Sequence, residues 1–263
     1  MSMPGRGRGG RRTAPRSALL APLTALLVAA CGSLPPALRP PNPDDPLHLA
    51  TTDSYLRTHL DRDFQAISSS YVHQRTQADC SATSTAILIN ALRQVSGRAD
   101  GTPVSEAEVL AAVGDPDWAR AVADNGEGVS FAAYLGYLRR SLDAFGFRSA
   151  RIDVFHPTEA DAATRERLRH LLADSAHSAN SFLLAVFDQG TLTGGEHVGH
   201  VSPIATYDPA RRRALILDVD RGIRPYWADD DSLLAAMLFP DATDPSGNGL
   251  VRVSLPLGIA HLR

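Results

Sequence analysis

The chain has 263 residues and a formal net charge of −3, from 26 cationic and 29 acidic side chains. Every cationic side chain is an arginine, which excludes chemistry through a lysine Schiff base. Without the arginine-rich N-terminus the chain is more acidic still, which argues against nucleic acid as a partner. Of the two cysteines, Cys31 and Cys80, only Cys80 falls in the predicted folded part, which excludes an internal disulfide and a multi-thiolate zinc site there.

The N-terminus has the layout of a secretory signal. A basic segment precedes an apolar run, residues 18–30, that is too short to span a bilayer comfortably. The run ends in VAACGS, which resembles a bacterial lipobox. Residues 1–30 are therefore predicted to be a lipoprotein signal peptide with Cys31 as the lipidation site; the alternative is an ordinary signal peptide with an incidental cysteine. No aspartate follows Cys31, which favours the outer membrane, on its periplasmic side.

Residues 31–51 are rich in proline, which predicts an extended tether between the lipid and the folded part. The remainder, residues 52–263, is long enough for one substantial domain.

Helical patterns dominate the first part of this domain. Ser105 and Glu108 form a capping box, and Ser130 can cap the next helix. Helices are predicted over residues 80–94, 105–113, 130–142, 158–173 and 231–238.

Short apolar runs bounded by turn residues follow, and they are typical of buried strands. They cover residues 181–188, 200–208, 214–219 and 250–255. Helices followed by an antiparallel sheet predict an α+β architecture of two lobes, with a cleft between them as the natural place for a site.

Cys80 stands at the predicted start of a helix. The unpaired amides and the dipole at a helix N-terminus stabilise an anion, so this position favours a reactive thiolate. The alternative, a buried inert cysteine, is equally compatible with position alone.

Two further residues can complete a catalytic group. His200 begins a predicted strand beside a glycine-rich loop, and Asp218 ends the next strand, so a hairpin near residues 209–212 would bring them together. The alternative is an edge pair on a sheet. Gln74, with Gln77 as its competitor, can donate to an oxyanion together with the Cys80 N–H.

A metal site is not predicted. Glu196, His197 and His200 could begin one, but no further strong ligand has suitable spacing. His197 is instead interpreted as a residue at the rim of the cleft.

The order Gln–Cys–His–Asp, with helices before strands, resembles a papain-like cysteine enzyme. The strings QRTQADCSATSTAILINAL, GVSF, GHVSPIATYD, ALILDVDRGIRPYW and LLAAM resemble the phytochelatin synthase family, over about residues 71–253. This resemblance implies a papain-like two-lobed α+β fold, with a helical lobe followed by an antiparallel sheet lobe, for residues 52–263.

The resemblance also implies a reaction. Cys80 would be the nucleophile, His200 the general base and acid, Asp218 the orienting carboxylate and Gln74 the oxyanion donor. The substrate would be glutathione, which loses glycine and leaves a γ-glutamylcysteinyl thioester. Transfer to a second glutathione gives phytochelatin, and transfer to water gives γ-glutamylcysteine.

Substrate contacts are expected from Gly199, Ser202 and Asp241. The family commonly has an arginine where this chain has Asn248, and Arg221 or Arg224 is the expected substitute.

Other departures concern the nucleophile and metals. Ser81 stands where the family usually has glycine, and Asp79, where an aromatic is frequent, is expected to point away from the thiol. The cysteine-rich C-terminal region of eukaryotic members has no counterpart here. No tightly bound cofactor is expected, and a metal ion would arrive as a complex with substrate thiolates.

Two other functions stay open. The chain could be a papain-like peptidase acting on a different peptide, or an inactive envelope lipoprotein that binds thiol peptides or metals.

Overall fold

The structure, a computed structural model, describes residues 53–59, 62–99, 101–240 and 247–256. These residues all belong to one compact unit of the chain, residues 40–263. The predicted signal peptide, the lipidation site Cys31, the tether and the substrate residue Asp241 lie outside the described residues.

Helices make up the first part of the domain, after a short 3-10 turn at Leu56–Thr58. They are α1 (Arg62–Ser69), α2 (Cys80–Val95), α3 (Glu106–Val113), α4 (Pro116–Ala121) and α5 (Phe131–Ala144).

The second part is a sheet interleaved with three helices. The strands are β1 (Arg151–Phe155), β2 (Ser181–Asp188), β3 (Gly199–Asp208), β4 (Arg213–Ile216), β5 (Tyr226–Asp229) and β6 (Gly249–Ser254). The helices are α6 (Ala162–Ala176), α7 (Gln189–Thr193) and α8 (Asp230–Leu238). All described pairings are antiparallel, in the order β1-β6-β2-β3-β4-β5.

The sheet is covered on both faces, which explains why its central strand is apolar throughout. Every residue of β2 is buried. Phe182 and Leu184 pack into the core shared with α2 and α5, whereas Leu183 and Phe187 pack into a second core shared with α6 and α8. Alternation of side chains along a strand distributes the two sets to opposite faces.

Helix α2 packs directly on β3 and fixes the position of its first residue, Cys80. Fourteen of its sixteen residues are buried. The helix has small and apolar side chains on all sides, a pattern that predicts such burial. Inside this contact the Ser84 hydroxyl donates to the carbonyl of Val201 at 2.8 Å. Cys80 and the start of β3 are thereby held beside each other.

The predicted fold class is confirmed, with corrections in detail. The capping box at Ser105 and Glu108 is present, and a hairpin joins β3 to β4. The predicted strand 214–219 was too long, because β4 ends at Ile216 and Asp218 lies in the segment after it. The strands β1 and β5 and the helices α1, α4 and α7 were not predicted.

Within the described ranges, no helix is both long and apolar enough to cross a membrane.

Candidate active site

The N-terminus of α2 presents Cys80 as its first residue. Cys80 is 7% exposed and is not in a disulfide. The first hydrogen bond of the helix runs from the Thr83 N–H to the Asp79 carbonyl, and no side chain caps this end. The amides of the first turn are therefore oriented toward the region of the thiol, where they can stabilise an anion.

His200 and Asp218 form a buried hydrogen-bonded pair. His200 Nε2 lies 2.8 Å from Asp218 Oδ1, and the side chains are 4% and 0% exposed. Cys80 lines the same cleft as His200, and its interaction with the ring raises the pKa of the imidazole. The imidazole is thus held by the carboxylate at the cleft that the thiol also lines, an arrangement suited to nucleophilic catalysis by a thiol.

The electrostatics of this group favour a charged imidazole. Burial alone lowers the pKa of His200, but hydrogen bonds and charge interactions with Asp218 and Cys80 outweigh it and raise the pKa to about 10. Burial raises the pKa of Asp218, but its hydrogen bond and charge interaction with His200 give a net lowering. A charged imidazole held by a buried carboxylate at the cleft of Cys80 is the partner that a thiolate–imidazolium pair needs.

Asp218 has further partners that sequence analysis missed. The Gln189 amide donates to both carboxylate oxygens, at 3.2 and 3.4 Å, and the Asp220 N–H donates at 3.0 Å. The Tyr226 hydroxyl donates at 3.4 Å. Nothing in the sequence distinguishes Gln189 from an ordinary loop glutamine.

Gln74 lines the same cleft as Cys80 and is hydrogen-bonded to the segment that carries Asp218. Its backbone N–H donates to the Val219 carbonyl at 2.8 Å, and its carbonyl accepts from Arg221 Nε at 2.7 Å. Its side chain is buried beside the cleft; Nε2 makes a 3.4 Å contact with the Gln77 carbonyl, and Oε1 has no partner. A side-chain amide in this place can serve as an oxyanion donor.

Asp79 directs its carboxylate away from the cleft. It accepts hydrogen bonds from the backbone N–H groups of Arg75 and Thr76, as expected for a side chain that does not face the thiol. Burial raises the pKa of Asp79, and the nearby Glu106 charge adds to this increase. Both effects oppose negative charge beside Cys80.

A cleft of about 900 Å³ opens beside Cys80 and His200. Two loops contribute to it, residues 126–129 and 196–199, together with the end of α8. Its other described lining residues are Gln74, Gln77, Ala78, Val186, Asp188, Gln189, Val201, Asp220, Phe239, Pro240 and Asn248.

The predicted substrate contacts have different positions. Gly199 lines the cleft. Ser202 is fully buried and its hydroxyl accepts from the Val219 N–H at 3.2 Å, so its side chain supports the Asp218 segment. Arg221 is bonded to the Gln74 carbonyl and does not line the cleft.

His197 lies at the rim, as interpreted from the sequence. Its Nδ1 is 2.8 Å from the buried Asp188 carboxylate, and its ring stacks on Phe239 with centroids 4.2 Å apart. Within the described part of the chain, no group of His, Cys, Asp or Glu side chains is arranged to hold a metal ion.

Three features define a papain-like cysteine enzyme: an antiparallel sheet, a cysteine at the start of a helix packed on it, and a histidine on β3 bonded to an aspartate in the segment after β4. Its chemistry is acyl transfer or peptide cleavage through a thiol. Residues 48–249 match the family described as Phytochelatin synthase. The match covers most of the chain, which belongs to the phytochelatin synthase family.

The chain was also compared with solved structures and with curated proteins. The chain is similar to the peptidase domain of Streptococcus ComA, a bifunctional ABC transporter involved in a quorum sensing pathway, at 14% identity and a TM-score of 0.39. The similarity covers 71% of this chain and 98% of that domain. No curated protein gives a significant match.

Proposed function

We propose that the chain transfers the γ-glutamylcysteinyl group of glutathione through a thioester on Cys80. The observation that carries this proposal is the buried His200–Asp218 hydrogen bond with Cys80 and His200 lining the same cleft, in a chain of the phytochelatin synthase family.

In the first half-reaction, the Cys80 thiolate attacks the carbonyl carbon of the Cys–Gly peptide bond. Gln74 and the Cys80 N–H stabilise the oxyanion that forms. The C–N bond then breaks, His200 gives its proton to the departing nitrogen, and glycine leaves. Asp218 keeps the imidazole oriented and stabilises its charged form.

In the second half-reaction, neutral His200 takes a proton from the incoming nucleophile as it attacks the thioester. An amino group of a second glutathione gives the longer peptide, whereas water gives γ-glutamylcysteine. Either step restores the thiolate–imidazolium pair. A metal ion would enter as a thiolate complex of the substrate, and no step here depends on it.

Incubation of the purified full-length protein with glutathione tests the proposal. Release of glycine, with a γ-glutamylcysteine or phytochelatin product, is expected, and the Cys80→Ser variant should be inactive. Cleavage of other peptides without glycine release would identify the chain as a papain-like peptidase instead. If the wild type and the Cys80→Ser variant bind glutathione equally and the wild type shows no turnover, the result would favour a thiol-binding lipoprotein.

The proposed site of action is the cell envelope. A lipid on Cys31 would hold the protein at the membrane, and the proline-rich residues 31–51 would separate the domain from the surface. The sequence supports this location, because a basic segment and an apolar segment precede Cys31 as in a lipoprotein signal peptide.

A further inference from the structure

The segment from Gln74 to Cys80 carries both of the groups proposed to stabilise the oxyanion. The side-chain amide of Gln74 is at one end, the backbone N–H of Cys80 is at the other, and both residues line the cleft. Residues 75–79 between them form bends and turns and belong to no helix or strand. An oxyanion hole depends on donors held in fixed positions, so other contacts must set the geometry of this segment.

The carboxylate of Asp79 supplies such contacts. Asp79 is 1% exposed, and its Oδ1 accepts hydrogen bonds from the backbone N–H groups of Arg75 at 3.1 Å and Thr76 at 3.3 Å. Its Oδ2 lies 3.3 Å from the same Arg75 nitrogen. The residue just before the nucleophile is thereby bonded back to the two residues just after Gln74, which closes the segment into a ring.

This ring is attached to the rest of the domain at two other points. The Gln74 N–H donates to the Val219 carbonyl at 2.8 Å, and the Thr76 hydroxyl donates to the Val122 carbonyl, just after α4, at 2.9 Å. The first bond holds the ring to the segment after β4. Loss of the Asp79 bonds would free the backbone between these two points, and Gln74 lies at its end.

A buried carboxylate needs hydrogen bonds and a counter-ion, and Asp79 has both. Arg75 Nε lies 4.0 Å from Asp79 Oδ2 and is also paired with Glu106, the first residue of α3. Burial raises the pKa of Asp79, whereas its bonds to the two backbone N–H groups act in the opposite direction. An aromatic side chain, frequent at this position of the family, has no carboxylate to accept these bonds.

We propose that Asp79 is a positioning residue for the oxyanion hole. Its bonds to the backbone of Arg75 and Thr76 fix the side-chain amide of Gln74 relative to the Cys80 N–H. Asp79 itself contacts no reacting atom. This inference rests on the proposed function, because an oxyanion forms only when the thiolate attacks a carbonyl.

Three substitutions of Asp79 in the full-length protein test the role. Asp79→Ala should lower kcat for glycine release from glutathione by about ten- to 100-fold, with KM nearly unchanged, because the donors lose their fixed positions. Asp79→Glu keeps the charge but displaces the oxygens by one methylene, and it should be impaired to a similar extent. Asp79→Asn keeps an acceptor oxygen in place without the charge, and it should retain most of the wild-type kcat.

Two further measurements separate positioning from a general loss of structure. In the Gln74→Ala background, Asp79→Ala should lower kcat far less than it does in the wild type, because its effect passes through Gln74. Alkylation of Cys80 by iodoacetamide forms no oxyanion, so its rate should not fall in the Asp79 variants.

Asp115→Ala is the matched control. Asp115 also precedes a helix, α4, and its carboxylate accepts from the backbone N–H groups of Asp117 at 2.9 Å and Trp118 at 3.1 Å. Asp115 does not line the cleft. Its substitution should lower the urea concentration at which the protein unfolds and leave kcat unchanged.

Three results would each overturn this inference and leave the proposed function intact. They are a wild-type kcat in Asp79→Ala, an equal loss of kcat with and without Gln74, and an Asp79→Asn variant as impaired as Asp79→Ala. Absence of glycine release by the wild type would overturn both.

Discussion

The side-chain amide of Gln189 donates to the buried carboxylate of Asp218 at an N···O distance of 3.2 Å. Gln189 is the first residue of α7, and it is 7% exposed. It therefore holds the carboxylate that in turn orients His200. In our account Gln189 is a positioning residue for the catalytic group.

Gln189→Ala should lower kcat about tenfold, in line with the loss of a hydrogen bond to a buried charge. KM should change little if the amide acts through Asp218. The reaction rate of Cys80 with iodoacetamide should also fall, and its pH profile should shift, which a purely structural loss would not cause.

Gln94→Ala is the matched control for Gln189. Gln94 lies in the last turn of α2, outside the cleft, and its amide is bonded to Ser70 at 2.9 Å. An equal loss of kcat in both variants, with unchanged thiol reactivity, would contradict the positioning role of Gln189.

The ionisation of His200 should occur far above its ordinary range. Its pKa is raised to about 10 by Asp218 and Cys80, so the proton persists to higher pH, and the capacity to protonate a leaving group is lost only as pH approaches 10. Nitrogen NMR of labelled histidine, assigned with a His200 variant, measures this directly.

Asp218→Asn removes the carboxylate charge that helps to raise the pKa of His200, and it should lower that pKa and reduce kcat strongly. The ring should then titrate nearer 6.5. Titration of wild-type His200 at the ordinary histidine pKa of about 6.5 would contradict the charged pair.

Gln74 and Gln77 can be separated by substitution, because both line the cleft. Gln74→Ala should reduce kcat by about 100- to 1,000-fold, as the loss of one oxyanion donor does. Gln77→Ala should reduce kcat much less. The group of Gln77 that contacts Gln74 is its backbone carbonyl, which alanine retains. The reverse order of these losses would assign the oxyanion to Gln77.

Ser81 has a structural role that accounts for its departure from the usual glycine of the family. Its hydroxyl accepts from Trp118 Nε1 at 3.1 Å, with both side chains buried. Ser81→Ala should lower the free energy of unfolding by about 1–3 kcal/mol, because the indole N–H loses its acceptor.

A double-mutant cycle with Trp118→Phe isolates that hydrogen bond. In the Trp118→Phe background the indole N–H is absent, so Ser81→Ala should lower the free energy of urea unfolding much less than it does in the wild type. If Ser81→Ala lowers the free energy of unfolding equally in the wild type and in Trp118→Phe, the two residues are not coupled.

Cys31→Ala should release the protein from membranes to the soluble fraction, since one residue is proposed to carry the lipid. Fractionation of cells that express each form measures this. Unchanged membrane association would contradict the lipid anchor while leaving the chemistry of Cys80 unaffected.

The sequence allowed prediction of the elements whose patterns are local. The helix that begins at Cys80 and the hairpin that joins β3 to β4 followed from apolar periodicity and turn residues. The short edge strands β1 and β5 were missed, because each has only four or five residues and is partly exposed.

Apolar periodicity and turn residues do not predict contacts between residues that are distant in sequence. Gln189 meets Asp218 across 29 residues through the placement of α7 and the segment after β4. Ser202, expected to bind substrate, is on β3 with its side chain toward Val219, an orientation set by strand register. Asp241 and Cys31 remain predictions.

The acyl-enzyme itself is the most direct test of the central claim. The full-length protein would be exposed briefly to glutathione, quenched in acid, and analysed by mass spectrometry of its peptides. A γ-glutamylcysteinyl group on Cys80 in the wild type, absent in Cys80→Ser and accumulating poorly in His200→Ala, is the predicted result. An unmodified Cys80 during active glycine release, or the acyl group on another residue, would contradict the account.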